Sequence, residues 1–376
     1  MDKVTSLYLH VPFCESKCPY CAFSSAEKSG RDEEVYLDSI ALEMALRAPD
    51  AGTLDTLYIG GGTPSVLSRD AWRAVIELLE KFFTLSSSAE VTVEANPSSL
   101  KHEHLELWRN WRVNRLSLGV QSFDDARLAF LGRIHSSHQA VKAVELSLSS
   151  GFSVSLDLMF GLPSNTPGIH EELREWAGTL RSAIELRPHH ISVYQLTIEP
   201  DTPFDRLYSD SPLMSDGYVP YRYAQWFLPR LGYEQYEVAS FALPGHESRH
   251  NLNYWSDDGY IGIGPSAWGC VNEVRYKNTP RLVDYAAILA SGGDPITSTE
   301  RLEGERVARQ AAVLALRTRS GINWEKFQAR YGKIFAKAIK NDLKFIPNDL
   351  ISSDGFNTRL TKKGLRLGNA VWASII

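Results

Sequence analysis

Three of the four cysteines in this chain lie within eight residues of one another, close to the amino terminus. Cys14, Cys18 and Cys21 are spaced C-x3-C-x2-C, whereas Cys270 follows about 250 residues later. Four cysteines in 376 residues are too few for a fold held by disulfides. A structural zinc site needs four ligands, so zinc would also require His10 or Cys270. Three thiolates on one short loop suit a cubane iron–sulfur cluster, because each can bind one iron and the fourth iron then accepts an outside ligand.

A glycine run forms a second candidate binding segment. Gly60-Gly61-Gly62-Thr63-Pro64-Ser65 follows an apolar, strand-like run. Glycines let the backbone approach a ligand closely and present N–H and C=O groups to it. A phosphate-binding turn is the generic interpretation, but the GK[ST] sequence that would support it does not follow.

Single polar residues also stand at or just after the ends of further strand-like runs. They are Glu94 in EANP, Gln121 in RLSLGVQSF, Arg133 in LGRIH and Asp157 in SLDLMFGLPSNT. Each alone would more often be structural. In parallel α/β folds, however, the carboxyl ends of the strands meet at one edge, where ligands bind. The recurrence therefore predicts one site, in which carboxylates accept hydrogen bonds and Arg133 pairs with a ligand carboxylate.

These residues need a scaffold, and the pattern of the first 200 residues predicts one. Strand-like runs alternate with amphipathic helical runs, which favours a parallel sheet with helical crossovers. Six such units predict an α/β fold of the incomplete parallel (β/α)6 barrel type. The predicted strands are 6–11, 53–59, 90–95, 114–120, 152–160 and 189–196. The predicted helices are 32–48, 69–83, 99–111, 137–150 and 169–186.

The last third of the chain has a different pattern. Extended chain is predicted over 232–243 and loops over 245–270. Helices at 300–318 and within 321–345, a hairpin at 350–364 and a helix at 365–375 predict a small winged-helix-like domain. The expected division is a core barrel at 1–235, a loop-rich extension carrying HNLNYW at 236–298, and the helical domain at 299–376.

Composition narrows the functional classes. The chain is 43% hydrophobic and has no run of roughly 18 apolar residues, so no stable membrane insertion is expected. No secretory signal pattern precedes the cysteines, and a cytoplasmic location is expected. The net charge is −5, yet residues 300–376 carry 15 Lys or Arg and only 7 Asp or Glu. A basic segment can bind nucleic acid, but a solvated helical surface is the commoner explanation.

Taken together, the motifs resemble a known family. C-x3-C-x2-C after the first strand of a βα barrel is the signature of radical S-adenosylmethionine (SAM) proteins, in which SAM binds the open iron of a [4Fe–4S] cluster. Seven motifs then occur in the order found in the oxygen-independent coproporphyrinogen III oxidase-like family: HVPFC, CPYC, GGGTPS, NRLSLGVQSF, LGRIH, DLMFGLP and YQLTIEPDTPF. The resemblance implies that Cys14, Cys18 and Cys21 bind the cluster. It implies SAM contacts for Tyr8, Tyr20, Gly61, Gly62, Thr63, Glu94, Gln121, Arg133 and Asp157.

Two departures separate the branches of this family. Decarboxylating members carry a further cysteine two residues after the triplet and a long extension before it, whereas this chain has Phe23 there and 13 residues before Cys14. The chain therefore resembles the heme chaperone branch. That branch shares an element similar to HNLNYW, in which His250 would be a heme ligand, beside Tyr254 and Trp255. A structural, hydrogen-bonded His250 is the alternative.

The expected function is a heme chaperone that binds heme, a [4Fe–4S] cluster and SAM, and transfers heme to an acceptor protein. One alternative is a radical SAM oxidoreductase that decarboxylates coproporphyrinogen III, using an electron donor such as flavodoxin or ferredoxin. Another is a radical SAM enzyme that modifies nucleic acid through the basic segment. Nucleic acid is not expected as a partner, because no basic stripe with interleaved aromatic residues is present.

Overall fold

The structure is a computed structural model that describes residues 3–163, 169–209, 211 and 215–376, with only the backbone for 169–171. The last three residues of the predicted motif SLDLMFGLPSNT lie outside the described residues. The chain forms two compact units, Met1–Pro220 with Gly259–Glu300 and Tyr221–Asp258 with Arg301–Ile376. Within the described residues, no helix has both the length and the apolar character needed to cross a bilayer.

The elements alternate through the first half of the chain. The strands are β1 Val4–Val11, β2 Phe13–Cys14, β3 Ala26–Glu27, β4 Ala51–Gly61, β5 Thr84–Ala95, β6 Arg115–Gln121, β7 Ser153–Phe160, β8 His190–Gln195, β9 Glu234–Gln235, β10 Ser240–Ala242, β11 Ile261–Ile263, β12 Trp268–Val271, β13 Val274–Asn278, β14 Ile296–Arg301, β15 Ile322–Asn323, β16 Ile351–Ser353 and β17 Asn357–Leu360. The α-helices are α1 Asp32–Arg47, α2 Arg69–Phe82, α3 His102–Trp111, α4 Asp125–Phe130, α5 Ser137–Ser149, α6 Ile169–Glu185, α7 Pro203–Tyr208, α8 Tyr218–Phe227, α9 Arg249–Trp255, α10 Leu282–Ala290, α11 Glu305–Ala315, α12 Trp324–Tyr331, α13 Lys333–Leu343, α14 Lys362–Arg366 and α15 Gly368–Ala373. Short 3₁₀ helices occupy Ala48–Asp50, Pro64–Val66 and Leu228–Leu231.

The first unit is built on a parallel sheet. Strands β11, β1, β4, β5, β6, β7 and β8 pair in that order, and each of these pairings is parallel. Along these strands buried Leu, Val and Ile residues alternate with Ser, Thr, Tyr and acidic residues, so the two faces of the sheet meet different surroundings. The predicted incomplete (β/α)6 architecture is confirmed. All six predicted strands and five predicted helices are present, with ends that shift by a few residues.

Residues 259–300 extend this unit. Strand β11 pairs in parallel with β1, and β12, β13 and β14 form a separate small sheet. Glu43 on α1 is fully buried, and its carboxylate accepts hydrogen bonds from the Gly264 N–H (2.8 Å), Asn278 Nδ2 (2.7 Å) and the Tyr285 hydroxyl. A buried carboxylate needs such donors, because burial removes the water molecules that would otherwise hydrogen-bond to it. The extension is therefore joined to α1 through this buried carboxylate and through Arg47, which forms an ion pair with Asp294.

The second unit has its own core and a winged-helix-like arrangement. Helices α11, α12 and α13 contribute to this core, together with the antiparallel hairpin β16–β17, onto which β15 adds. Asn323 caps α12 by accepting a hydrogen bond from the Lys326 N–H at 3.0 Å. The predicted helical C-terminal region is confirmed, but the predicted helix 365–375 is wrong as a single element. It breaks at Leu367 into α14 and α15, where a Cβ on Gly368 would lie 2.6 Å from the Trp372 ring.

The prediction of loops over 245–270 is also wrong. The segment contains α9, β11 and most of β12. Helix α9 begins because the Ser248 hydroxyl accepts a hydrogen bond from the Asn251 N–H at 3.3 Å. The glycines suggested loops, but Gly262 serves close packing, since a Cβ there would lie 1.9 Å from the Trp268 carbonyl oxygen. The expected domain boundaries at 235 and 298 stay predictions, whereas contacts group residues 221–258 with 301–376.

Candidate functional site

The carboxyl ends of the barrel strands surround a cavity of about 350 Å³. Nearly all of the predicted site residues lie on its wall. The lining includes Cys14, Cys18, Tyr20, Cys21, Gly61, Gly62, Thr63, Glu94, Gln121, Arg133 and Asp157. This volume falls in the range of about 300–1,000 Å³ that is usual for small-ligand sites. The polar residues at the ends of successive strands in the sequence therefore line one cavity in the fold.

The three cysteines of the triplet are free, partly buried thiols on one wall of this cavity. Cys18 to Cys21 form a turn, in which the Cys21 N–H donates a hydrogen bond to the Cys18 carbonyl oxygen at 3.1 Å. The Thr63 hydroxyl lies 3.6 Å from the Cys14 sulfur. Among the described residues, no three His, Cys, Asp or Glu side chains are gathered closely enough to hold a single metal ion. Cys270 lies instead on β12, where it pairs with Arg275 of β13.

The glycine run supports the start of the cysteine loop. The Gly62 N–H donates to the Val11 carbonyl (2.8 Å) and the Thr63 N–H donates to the Phe13 carbonyl (2.7 Å). A Cβ at Gly62 would lie 2.4 Å from the Phe13 oxygen. At Gly61, where φ is 112°, it would lie 2.7 Å from the His10 ring. These glycines therefore let β4 lie against the strand that leads into Cys14, a role that the sequence did not reveal.

Two carboxyl groups face the cavity from neighbouring parts of the sheet. Glu94 accepts hydrogen bonds from the Tyr58 hydroxyl (2.7 Å) and the Gly61 N–H (3.1 Å), and Asp157 accepts one from the Ser117 hydroxyl (3.0 Å). Desolvation raises the pKa of Glu94 to about 7, with a contribution from the nearby Asp157. Desolvation likewise raises the pKa of Asp157 to about 6. The pair can therefore accept hydrogen bonds from a polar ligand and change charge near neutral pH.

Arg133 also lines the cavity, where it contacts three different segments of the chain. Its guanidinium donates to the Asn96 side chain (2.5 Å), to the Gly119 carbonyl (2.8 Å) and towards the Cys18 sulfur (3.6 Å). Gln121 adopts φ of 66°, a left-handed conformation that costs energy for a residue with a side chain. Such strain often marks functional sites.

Among the residues predicted to contact SAM, Tyr8 is the one that does not line the cavity. Its hydroxyl lies 3.0 Å from Nδ1 of His10, and Nε2 of His10 lies 3.1 Å from the Ser24 carbonyl. Because a carbonyl only accepts, Nε2 carries the proton and Nδ1 accepts from Tyr8. Burial lowers the pKa of His10 to about 4, so the ring is neutral. His10 thus ties the end of the cysteine loop to β1.

Several cavity residues were not predicted from the sequence. Tyr58 bonds to Glu94, Asn96 bonds to both Thr63 and Arg133, and Ser117 bonds to Asp157. Asn96 lies two residues after Glu94 in EANP, so Asn96 could have been predicted as a cavity residue from that motif. Tyr58 precedes the glycine run by two residues, but nothing in the sequence pairs it with a residue 36 positions later.

His250 lies in the second unit, on α9. The imidazole is 1% exposed, and its Nε2 lies 2.8 Å from the Tyr254 hydroxyl. Desolvation lowers the pKa of His250 to about 3, so the imidazole is neutral. The end of α9 is fixed by Arg330, which contacts Asp258 at 3.0 Å, and by the Tyr331 hydroxyl, which donates to Asp257 at 3.0 Å. A metal could therefore reach Nε2 only if Tyr254 moved away.

Four basic residues of the C-terminal segment form ion pairs within their own unit. Ion pairs link Arg309 with Glu305 and Asp342, Arg319 with Glu234, Arg330 with Asp258, and Lys363 with Asp349. Surface pairs of this kind add little stability individually.

A parallel sheet that brings a C-x3-C-x2-C loop, a glycine run and two strand-end carboxyls to one cavity defines a class of protein. A model of the radical SAM superfamily matches residues 8–177. A protein named heme chaperone HemW from Bacillus subtilis (strain 168) is 33% identical over 380 residues, which cover 99% of each chain. Its namesake from Escherichia coli (strain K12) is 40% identical over 273 residues, or 71% of this chain and 70% of that relative. The chain belongs to the heme chaperone HemW family of radical SAM proteins.

The solved structures support the fold. The structure of coproporphyrinogen III oxidase (HemN) from Escherichia coli, described as a radical SAM enzyme, aligns with a TM-score of 0.84. The alignment covers 100% of this chain and 90% of that one, at 22% sequence identity. At that identity the likeness shows the shared fold. The family predicted from the sequence motifs is confirmed, and the radical SAM family implies a [4Fe–4S] cluster and SAM.

Proposed function

We propose that this protein is a heme chaperone that binds heme, a [4Fe–4S] cluster and SAM and transfers the heme to an acceptor protein. The observation that carries the proposal is the relationship to HemW along 99% of both chains at 33% identity. Both the barrel and the helical C-terminal region therefore have counterparts in a protein named for heme chaperoning. The identity of the acceptor and a cytoplasmic location stay predictions.

The cavity residues fit the cluster. In the proposal Cys14, Cys18 and Cys21 each bind one iron, and the fourth iron is left for SAM. Arg133 lies 3.6 Å from the Cys18 sulfur and Thr63 lies 3.6 Å from the Cys14 sulfur, so a cation and a hydroxyl group are available to offset thiolate charge. A cluster with SAM supplies one-electron chemistry when bound. The residues of the chain hold the three sulfurs on one wall of the cavity.

The same cavity fits SAM. Gly61, Gly62 and Thr63 line one side, and Gln121 and Arg133 line another. The Glu94 and Asp157 carboxyls are suited to accept hydrogen bonds from ribose or amino groups, while Arg133 is suited to a carboxylate. Tyr20 completes the wall beside the cysteines. Tyr8 contributes through His10, which it orients by its hydroxyl group.

For heme, His250 is proposed as the iron ligand. Its neutral imidazole has the lone pair that iron requires, because burial has lowered its pKa. In this proposal iron binds Nε2, which is hydrogen-bonded to the Tyr254 hydroxyl in the ligand-free structure. Heme binding therefore requires this hydrogen bond to break, so the side chain of Tyr254 would regulate access to His250.

The test is a heme titration of the anaerobically reconstituted protein, monitored by the Soret band and by electron paramagnetic resonance. Wild type should bind heme with a histidine-ligand signature, His250→Ala should lose that signature, and Tyr254→Phe should keep or strengthen it. His102→Ala is a matched control, because His102 is an exposed histidine on α3 in the other unit. Loss of the signature in the control as well, or its retention in His250→Ala, would contradict the assignment of His250.

A second arm separates chaperone from enzyme. Loaded protein mixed with apomyoglobin should release heme to it, whereas incubation with coproporphyrinogen III, SAM and a reductant should leave the tetrapyrrole unchanged. Formation of protoporphyrinogen would instead support the coproporphyrinogen oxidase alternative. Failure of wild type to bind heme at all would reject the chaperone proposal.

A further inference from the structure

Arg317 occupies an unusual position in the second unit. It follows the end of α11, and its guanidinium lies between two indole rings. Its Cζ is 4.2 Å from the ring centroid of Trp372 and 5.2 Å from that of Trp255. Both indole faces are thus in the range of favourable cation–π contact. Trp255 is the last residue of α9, the helix that carries His250.

Three donors in this cluster have no acceptor. Nε of Arg317, Nε1 of Trp255 and Nε1 of Trp372 are buried, and none of them has a hydrogen-bond partner among the described residues. More than about 90% of buried polar groups in proteins are paired. Three unpaired donors in one cluster, one of them on a cation, therefore point to an acceptor that the folded chain does not itself provide.

Three other arginines of the same unit do have counter-ions. Arg309, Arg319 and Arg330 each form an ion pair with an acidic residue of the same unit. No carboxylate among the described residues lies within ion-pair distance of Arg317. Its guanidinium therefore lacks the counter-ion that every one of these other arginines has.

Burial lowers the pKa of Arg317, and the nearby Glu237 carboxyl opposes that shift. This carboxyl is 2% exposed, and one of its oxygens already accepts the Ala239 N–H at 3.0 Å. Burial raises the pKa of Glu237, and no hydrogen bond or ion pair joins its carboxyl group to Arg317 within the described part of the chain. The fold therefore leaves a positive guanidinium between two flat apolar rings without an anion.

We propose that Arg317, Trp255 and Trp372 form a binding site for a carboxylate carried by a planar ligand. A guanidinium binds carboxylates through paired hydrogen bonds, and indole faces pack against flat apolar surfaces. The site rests on the proposed function only for the identity of its ligand, which is then the propionate side chain of heme. His250 and Trp255 are five residues apart on α9, so roughly 8 Å of helix separates the proposed iron ligand from this site.

The first experiment compares heme with heme dimethyl ester, which has the same ring and iron but no free carboxylate. Wild type should bind heme about tenfold more tightly than the ester, the ratio expected from one charge-assisted hydrogen bond. Arg317→Gln should bind the two equally well. Arg319→Gln is the matched control, because Arg319 is an exposed arginine two residues away, paired with Glu234, and this variant should keep the wild-type preference. A wild-type preference that survives in Arg317→Gln would overturn the inference.

The second experiment uses a probe that does not depend on heme. Sodium propionate at 50 mM should raise the melting temperature of wild type above its value in sodium chloride of equal ionic strength. Arg317→Gln should show no such difference, and Arg319→Gln should behave as wild type. Absence of a propionate-specific shift in wild type would overturn the site. A shift in a protein that fails to bind heme would keep the site and reject only the proposed chaperone function.

Discussion

The substitution Gly62→Ala tests whether the glycine run positions the cysteine loop. A Cβ at this position would lie 2.4 Å from the carbonyl oxygen of Phe13 and 2.9 Å from its carbonyl carbon. Non-bonded heavy atoms favour separations of about 3.5–4.0 Å, so the two backbones must move apart by roughly 1 Å. Phe13 directly precedes Cys14, so the movement shifts the first sulfur of the triplet.

The expected cost in stability has two sources, weaker hydrogen bonds and tighter packing. Separation breaks or weakens the hydrogen bonds from the Gly62 and Thr63 N–H groups to Val11 and Phe13, which contribute about 1 kcal/mol each. Residual overpacking adds about 1–3 kcal/mol. We therefore expect Gly62→Ala to lower the free energy of unfolding by about 3–5 kcal/mol. Because the Thr63 hydroxyl also lies against the Cys14 sulfur, the variant should retain less iron and sulfide.

The assay combines urea unfolding of the cluster-free protein with iron and sulfide analysis after anaerobic reconstitution. Gly178→Ala is the matched control, because Gly178 lies inside α6 and no atom lies within 4 Å of its added Cβ. Alanine there should raise the free energy of unfolding by about 1 kcal/mol and leave the iron content unchanged. If Gly62→Ala matched wild type in both stability and iron content, the proposed support of the loop would be refuted.

Three further predictions concern the cavity and its surroundings. Anaerobic preparations should lose iron and sulfide when any one cysteine of the triplet is replaced by alanine, whereas Cys270→Ala should retain both; colorimetric iron and sulfide analysis decides. Because Glu94 and Asp157 have raised pKa values, the ligand-free folded state holds their protons more tightly than the unfolded chain does. The free energy of unfolding should therefore fall by about 1–2 kcal/mol as the pH rises from 4 to 8, since cavity water screens part of the effect, and urea titrations of a Glu94→Gln/Asp157→Asn variant should give a flatter profile. Glu43→Ala removes the acceptor that three buried donors share and should lower the free energy of unfolding by about 3–5 kcal/mol; a change under 1 kcal/mol in urea titrations would contradict the role given to this network.

The barrel and much of its cavity were predictable because the relevant signals are local. Buried parallel strands appear as apolar runs of four to eight residues, and polar residues at their carboxyl ends point to one edge whatever the details of the packing. The three cysteines likewise lie within eight residues, so their spacing can be recognised without knowledge of the fold. Glu94, Gln121 and Asp157 could be assigned to one cavity without knowledge of a single contact between them.

What the sequence did not reveal depends on contacts between distant residues. The glycine run looked like a surface for a ligand, yet the atoms that exclude a Cβ at Gly61 and Gly62 belong to His10 and Phe13, some 50 residues earlier. Helix α9 was mistaken for a loop because it is only seven residues long and lies among glycines. The pairing of Tyr58 with Glu94 depends on the register between β4 and β5, which no local pattern encodes.

The helix that carries His250 is made long before the residues that hold it. Asp257, Asp258 and Trp255 find their partners in Tyr331, Arg330 and Arg317, and Trp372 packs on the far side of that last arginine. On the ribosome, the barrel strands up to β8 emerge first, while α9 must wait for more than a hundred further residues. A nascent chain could thus fold around its cysteine loop well before α9 is held in its final position. If His250 binds heme as proposed, heme could be loaded only after the residues that hold α9 have been made.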